Sequence, residues 1–425
     1  MVLDPSARHA ERPLRVTIVS HGHPALSIGG SERSALSLFE NLKAADDVLP
    51  TFVARAEPRH LGHDGDFGLF HGRTDEILWA PPAIDSFRVV SFSPDRLRRQ
   101  VSELLANTQP DIVHVHHYGG FGADLFPILA EVGQVPIVAT LHEYLAICHN
   151  HGQMVKVTGG LCHEEYYADC GTCFPDYSSG KFFLRKQLLL ECMASVDRFI
   201  SPSRFLADRY GAWGLPRDRI VVAENPLPAS RTPTANGTAP RRSGGPVVIG
   251  FFGQFNPFKG VDVLLDAMLI VQSSLPPGAI ELGLFGGNLE IWQPEFRAAI
   301  EARIAALGPA VKRSAYRNEE VIDLMRRVDW VVVPSIWWEN SPVVIQEAKA
   351  AGVPVLCADI GGMSEKIRPG TDGLHFAAGD ARDLAEKLLA IVSGEIETPH
   401  PPVPLSPIEL TAGIVEVYRE ASAAR

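Results

Sequence analysis

The chain has 425 residues, 46% of them hydrophobic and 21% charged, with a formal net charge of -11 at pH 7 and six cysteines. That length exceeds one hydrophobic core of ordinary size, so two domains are expected, and the composition excludes both a disordered chain and a membrane channel. The acidic balance argues against a nucleic-acid partner, which needs a basic face.

No apolar run reaches the roughly 18 to 20 residues of a spanning helix, and the first 13 residues carry Asp4, Pro5 and Glu11 where a signal peptide needs an apolar stretch. A cytoplasmic chain with reduced cysteines is therefore expected. Along the chain, short apolar runs alternate with helical patterns, the signature of parallel sheets covered by helices. The first series comprises Leu14–Ser20, Thr51–Ala54, Asp111–Val115, Pro136–Leu141, Arg198–Ser201 and Arg219–Ala223; the second comprises Val247–Phe252, Ile280–Phe285, Asp329–Val333 and Val353–Ala358. Between them, residues 228–246 are rich in Pro, Ser, Thr, Gly and Arg and read as a linker. The expected division is an N-terminal α/β domain over 1–227, that linker, a second α/β domain over 247–405, and a terminal helix over 406–425. Ala35, Leu38, Phe39 and Leu42, like Val261, Leu264, Leu265 and Met268, follow the i, i+3, i+4, i+7 spacing that gives a helix one buried stripe.

The first strand ends in His21-Gly22-His23, and Ile28-Gly29-Gly30-Ser31-Glu32 then opens a helix with Ser31 as the expected N-cap. A strand, a Gly-rich loop and a helix N-terminus together form an anion site, since unpaired N–H groups and the helix dipole converge there. A dinucleotide-binding fingerprint would add a third glycine and an acidic residue about 20 positions on, and the spacing here lacks it. In the second half, Val331–Ser335 reads as a buried strand and its turn. It is followed by Trp337, Trp338 and the run Glu339-Asn340-Ser341-Pro342-Val343-Val344-Ile345-Gln346-Glu347. Pro342 suits a first helical turn, which places the helix start near Asn340 or Ser341, with Glu339 in the loop before it and Glu347 inside it. The N–H groups of Val343 and Val344 suit phosphate oxygens, while two carboxylates beside them suit hydroxyls. The ligand this pattern implies is phosphorylated and rich in hydroxyls.

These residues, with the turn Gly253-Gln254-Phe255-Asn256-Pro257-Phe258-Lys259-Gly260, resemble the retaining glycosyltransferases of family 4, whose GT-B fold sets two Rossmann-like domains around a cleft. The resemblance extends to Asp111-Ile112-Val113-His114, Thr140-Leu141-His142-Glu143, Ser201-Pro202-Ser203, Asn225-Pro226 and Gly361-Gly362 with Glu365. It implies transfer of a sugar, with retained configuration, from a nucleotide-sugar donor to a glycan or lipid-linked saccharide, commonly in surface polysaccharide assembly. Carried over by position, Lys259 would hold the diphosphate, Glu339 the hydroxyls of the transferred sugar and Glu347 the ribose. His142 would face that sugar from the other domain, and Gly30 would lie closest to donor and acceptor. The donor site would further include Gly253, Gln254, Asn340, Ser341, Val343 and Val344. One departure stands out: the family usually has Arg where this chain has Gln254. No Asp-x-Asp stands at an expected donor site, so catalysis without a metal or other cofactor is expected. A sugar-nucleotide 2-epimerase and a noncatalytic nucleotide-sugar binder are the alternatives; the acid-base pattern of the epimerases is not found.

Two segments lie outside this pattern. Cys148, Cys162, Cys170 and Cys173 fall together, and the two-residue spacing of Cys170 and Cys173 lets both thiolates reach one tetrahedral ion, so a structural zinc in the segment 148–173 is expected. His149, His151 and His163 are spare ligands. The run from Ser179 to Lys186 mixes basic and apolar residues near a helix start, which fits either a peripheral membrane contact or a soluble helix with one buried face.

Overall fold

The structure is a computed structural model that describes residues 12–27, 29–231 and 245–423. Ile28 of the glycine loop and residues 232–244 of the expected linker lie outside the described residues.

Two sheets carry the two series of strands. The first has eight strands, in spatial order Ile220–Val222, Arg198–Ser201, Ile137–Thr140, Ile112–Val115, Leu14–Ser20, Val48–Arg55, Glu76–Trp79 and Phe67–Leu69. All neighbours pair in parallel except the edge strand Phe67–Leu69. The second has six parallel strands in the order Val311–Ser314, Ile280–Phe285, Val247–Phe252, Trp330–Val333, Val355–Ala358 and Gly373–Phe376. Central strands such as Ile112–Val115 and Trp330–Val333 are buried along their whole length. Burial on both faces explains why they read as continuous apolar runs rather than alternating ones.

Each sheet reverses its direction of growth once. In the first, the chain builds outward from Leu14–Ser20 to one side and then restarts on the other with Ile112–Val115; in the second the restart is between Val247–Phe252 and Trp330–Val333. Open parallel sheets bind ligands beyond the carboxyl ends of the strands at such a switch point, because the connections diverge there and leave a crevice. The residues following these four strands, including His21, His117, Gly253 and Ser335, line one shared cleft or adjoin it.

The cores follow the helical stripes: Ala35, Leu38, Phe39 and Leu42 are fully buried, as are Val261, Leu264, Leu265 and Met268. The terminal helix Pro407–Ala423 does not pack on the sheet that precedes it in sequence. It returns to the first sheet, where Ile414, Val415, Val417, Tyr418 and Ala421 join the core beneath the helix Gly30–Lys43. There the Tyr418 hydroxyl meets His114 Nδ1 at 2.7 Å, and His114 Nε2 meets the Thr140 hydroxyl at 2.7 Å, so the tail is tied to two central strands.

Candidate active site

The cleft between the sheets encloses about 630 Å³, and the residues singled out in the sequence gather on its walls. Gly30 and His142 come from the first unit; Gly253, Gln254, Lys259, Glu339, Asn340, Ser341, Val343, Val344 and Glu347 come from the second.

Lys259 closes the turn after Val247–Phe252. The Asn256 side chain accepts from the backbone N–H of Phe258 at 2.9 Å and of Lys259 at 3.0 Å, which fixes the turn. Gly260 is required here: it has φ +65°, and a Cβ would fall 1.9 Å from the Pro334 carbonyl oxygen. This close approach brings Lys259 against the loop after Trp330–Val333, where its ammonium donates to Glu339. The Ser335 hydroxyl donates to the same carboxylate oxygen at 2.9 Å. Burial pushes the Glu339 pKa up, but the Lys259 charge and these hydrogen bonds outweigh it and leave the carboxyl more acidic than usual. Glu339 is thus held ionised as a buried side chain in the wall of the cleft.

The following helix is Val343–Ala350, with Pro342 at its N-cap position and no side-chain cap. It starts two or three residues later than the sequence suggested, because Pro342 keeps an extended conformation just outside the helix. Likewise the N-cap of Gly30–Lys43 is Gly29, not Ser31, whose hydroxyl turns to Glu32 at 3.1 Å. Both helices therefore present first-turn N–H groups without a side-chain cap, as an anion site requires.

Asn340 and Ser341 reach across the cleft. The Asn340 amide donates to the His142 carbonyl at 2.6 Å and the Ser341 hydroxyl donates to Glu224 at 2.6 Å. His142 follows the strand Ile137–Thr140, and its Nε2 meets His116 Nδ1 at 3.1 Å. Burial, then the neighbouring His116 and His21, hold its pKa well below the usual value, so the ring is neutral at physiological pH. Beside it Glu143 has one carboxylate oxygen, Oε2, buried without a hydrogen-bond partner among the described residues. Burial raises its pKa to about 8, against the opposing Leu145 N–H and the Arg185 charge. A largely neutral carboxyl and a neutral imidazole thus share the first unit's wall at pH 7.

Two cations escaped the sequence reading. Arg231 donates to Glu347 through Nη1 and to the Asn318 carbonyl through Nη2 at 2.8 Å, with both ionic side chains less than a tenth exposed. Arg33 donates to the Asn318 side chain at 2.6 Å. Along with Lys259 they are the Lys and Arg side chains lining the cleft among the described residues, and they are the candidates to offset the missing Arg at Gln254. Burial raises the Glu347 pKa, and Arg231 and then Arg33 oppose it. Arg231 carries no recognisable motif, which is why spacing could not reveal it.

The four clustered cysteines are all partly buried free thiols. Burial raises the pKa of Cys148 and Cys162 and pushes Cys170 up to about 12. Among the described residues no group of three or more His, Cys, Asp or Glu is placed to hold a metal ion. In the basic and apolar run, Phe182 and Arg185 are buried. Arg185 donates to the carbonyls of Phe87, Ala146 and Leu145, which leaves Lys181, Phe183 and Leu184 as the exposed basic and apolar members of the run.

With this geometry in place, comparison with known proteins is specific. Residues 28–231 match the model of Glycosyltransferase Family 4, and residues 246–393 match that of the Glycosyl transferases group 1. The chain belongs to the family 4, group 1 glycosyltransferases. Its similarity to the D-inositol 3-phosphate glycosyltransferase of Nocardia farcinica is 25% identity over 410 residues, covering 91% of this chain and 83% of that protein. A namesake from Stackebrandtia nassauensis is 30% identical over 220 residues, 49% of this chain, so the match spans about half the length of that relative (48%). The glycogen synthase of Mycobacterium tuberculosis is 25% identical over 286 residues, 67% of this chain and 60% of that protein. Among solved structures, Anabaena HepE in complex with UDP superposes with a TM-score of 0.64 at 17% identity, covering 97% of this chain and 99% of that one. The catalytic domain of starch synthase IV from Arabidopsis thaliana, bound to ADP and acarbose, gives 0.65 at 14% identity, covering 97% and 100%. The fold of this family member is GT-B: two Rossmann-like units facing a cleft.

Proposed function

We propose that this family 4 member transfers a sugar from a nucleoside diphosphate-sugar, with retained anomeric configuration, to a glycan or lipid-linked saccharide. The observation that carries the reading is the meeting of Lys259 with Glu339 at the second sheet's switch point, opposite Gly30 and His142. Supporting it, proteins of the same fold are named as complexes with UDP and with ADP.

The demanding step in such a transfer is departure of the diphosphate, on which negative charge grows as the anomeric carbon becomes cationic. Lys259 and the uncapped start of Val343–Ala350 offset that charge from fixed positions, with no reorganisation needed at the moment of reaction. Glu339, ionised beside Lys259, accepts hydrogen bonds from the hydroxyls of the departing sugar, and Glu347 accepts from the ribose once Arg231 yields it. The acceptor hydroxyl approaches from the face that the diphosphate leaves and passes its proton to a phosphate oxygen. The negative charge is met by cations already in the protein, so turnover is expected to be metal-independent; an immediate loss on adding EDTA, restored by magnesium, would contradict this.

Surface polysaccharide assembly at the inner face of the membrane remains our proposal for its place in the cell. No helix among the described residues is long and apolar enough to cross a membrane. A structural zinc on Cys148, Cys162, Cys170 and Cys173 is a separate proposal that rests on their clustering in one segment. At least three ligands would have to draw together on binding. About one zinc per chain in protein purified without chelator supports it; four freely titrating thiols and little zinc overturn it. The experiment for the main reading is incubation with a panel of nucleoside diphosphate-sugars. Slow donor hydrolysis supports the transferase, formation of a 2-epimer an epimerase, and thermal stabilisation without turnover a binder.

A further inference from the structure

The two residues flanking Glu339 both cross the cleft. On one side the Asn340 amide donates to the His142 carbonyl at 2.6 Å. On the other, the Trp338 indole N–H donates to the carbonyl of Cys162, in the middle of the cysteine-rich segment, at 2.9 Å. The Trp338 ring is then enclosed by the first unit: it stacks on Phe205 with centroids 5.4 Å apart, meets the edge of His163 at 5.0 Å, and lies 4.8 Å from the Arg209 guanidinium. It packs against the apolar cores of both units. The preceding Trp337 turns the other way and stacks on Phe258, beside Lys259 in its own unit. The tandem tryptophans therefore pin the loop from both sides.

Behind the loop, Gly361 and Gly362 leave it no room to retreat. The Gly362 N–H donates to the Glu339 carbonyl at 2.7 Å. A Cβ on Gly361, whose φ is +63°, would come within 2.7 Å of that oxygen, and one on Gly362 within 1.9 Å of the Asn340 carbonyl. Glu365, three residues on, accepts from the N–H groups of Arg204 and Phe205 at 2.7 and 3.0 Å, anchoring this backing to the helix Arg204–Trp213 of the first unit.

We propose that Trp338 is a positioning residue for Glu339, and that the cysteine-rich segment, with the helix Arg204–Trp213, is the first unit's dock for it. Glu339 then reaches its working position only when the two units meet, which couples the carboxylate to a closed cleft from which water is excluded. This gives the cysteine-rich segment a role in transfer whether or not it holds a metal. It also accounts for the Gly361-Gly362 pair and Glu365 as the backing of the same loop. The inference rests on the donor-site reading above, with Glu339 on the transferred sugar.

The test measures transfer kinetics and nucleoside diphosphate affinity for Trp338→Leu, Trp338→Phe and Arg209→Gln, with Lys259→Ala in parallel. Misplacing a reacting group by about 1 Å costs up to about a hundredfold. Trp338→Leu is therefore expected to lower kcat about tenfold to a hundredfold while nucleoside diphosphate affinity stays within about threefold. Trp338→Phe keeps the stacking and loses the N–H, so it should recover part of kcat. Arg209→Gln, altered only on the first unit, should show the same split in smaller measure and carries the test if Trp338→Leu fails to fold. A purely structural tryptophan would lower the unfolding temperature and leave kcat of the folded fraction intact; that result overturns the dock. An equal loss in affinity and kcat overturns it too, since Trp338 would then be serving donor binding. If Lys259→Ala kept wild-type turnover, the donor-site reading would fall first, and the two failures are thereby told apart.

Discussion

Replacing Arg231 by alanine removes the main group that opposes burial at Glu347. Their side chains are 9% and 8% exposed, and the Arg231 guanidinium is the first cation opposing burial at Glu347. Removing one partner of such a pair leaves a buried charge uncompensated, a loss of about 3–5 kcal/mol. The carboxylate limits that loss by taking a proton, which burial already favours at this position. Arg231→Ala should therefore cost about 3 kcal/mol, lowering the unfolding midpoint of a unit this size by about 6–12 °C. The sign with pH follows from the raised folded-state pKa: stability falls as pH rises above the unfolded carboxyl's value, so the deficit should shrink as pH drops toward about 4.5. Thermal scans at pH 5 and pH 7.5 measure both effects. Arg231→Ala combined with Glu347→Gln should recover most of the loss, because no charge is then stranded. A wild-type midpoint for Arg231→Ala, or a deficit equal at both pH values, would refute the pairing.

Glu143→Gln should flatten the pH dependence of stability. Burial holds the Glu143 carboxyl at about 8, so this group opposes folding increasingly from about pH 4.5 upward, by up to about 1.4 kcal/mol per pH unit. Urea midpoints of wild type and variant that run parallel between pH 5 and pH 8 would show that the buried acid is absent. Tyr418→Phe removes the buried contact to His114 and should lower the midpoint by the equivalent of about 1–3 kcal/mol without changing turnover; an unchanged midpoint would mean that the terminal helix is not anchored there.

Much of the fold was legible because parallel strands buried on both faces read as unbroken apolar runs. Leu14–Ser20, Arg198–Ser201, Val247–Phe252 and Ile280–Phe285 have the limits that their sequence suggests. Glu76–Trp79 and Phe67–Leu69 were not legible: the second is a three-residue edge strand, and the first is a four-residue strand beside it whose burial comes from tertiary neighbours such as Gln100, which accepts from the Trp79 indole at 3.0 Å. Val311–Ser314 is a mostly exposed edge strand and offers no apolar run. At the site, spacing brought Lys259, Glu339 and Glu347 into view because they flank strand ends and a helix start. The partners that set their charge were out of reach: Arg231 lies 116 residues from Glu347, in a stretch that reads as linker. Trp338 was legible as a residue but not as a bridge, since its hydrogen-bond partner is a backbone carbonyl 176 residues away.

The most direct test of the account is release of nucleoside diphosphate from the donor that the panel selects, compared between wild type and Lys259→Ala. Loss of one charged contact to the leaving group is worth roughly 3 kcal/mol, so the variant should turn over about a hundredfold more slowly while remaining folded. Glu339→Ala, assayed alongside with the acceptor present, should fall by a similar factor. Turnover of folded Lys259→Ala near the wild-type rate would contradict the claim that this cleft carries the departing diphosphate on Lys259.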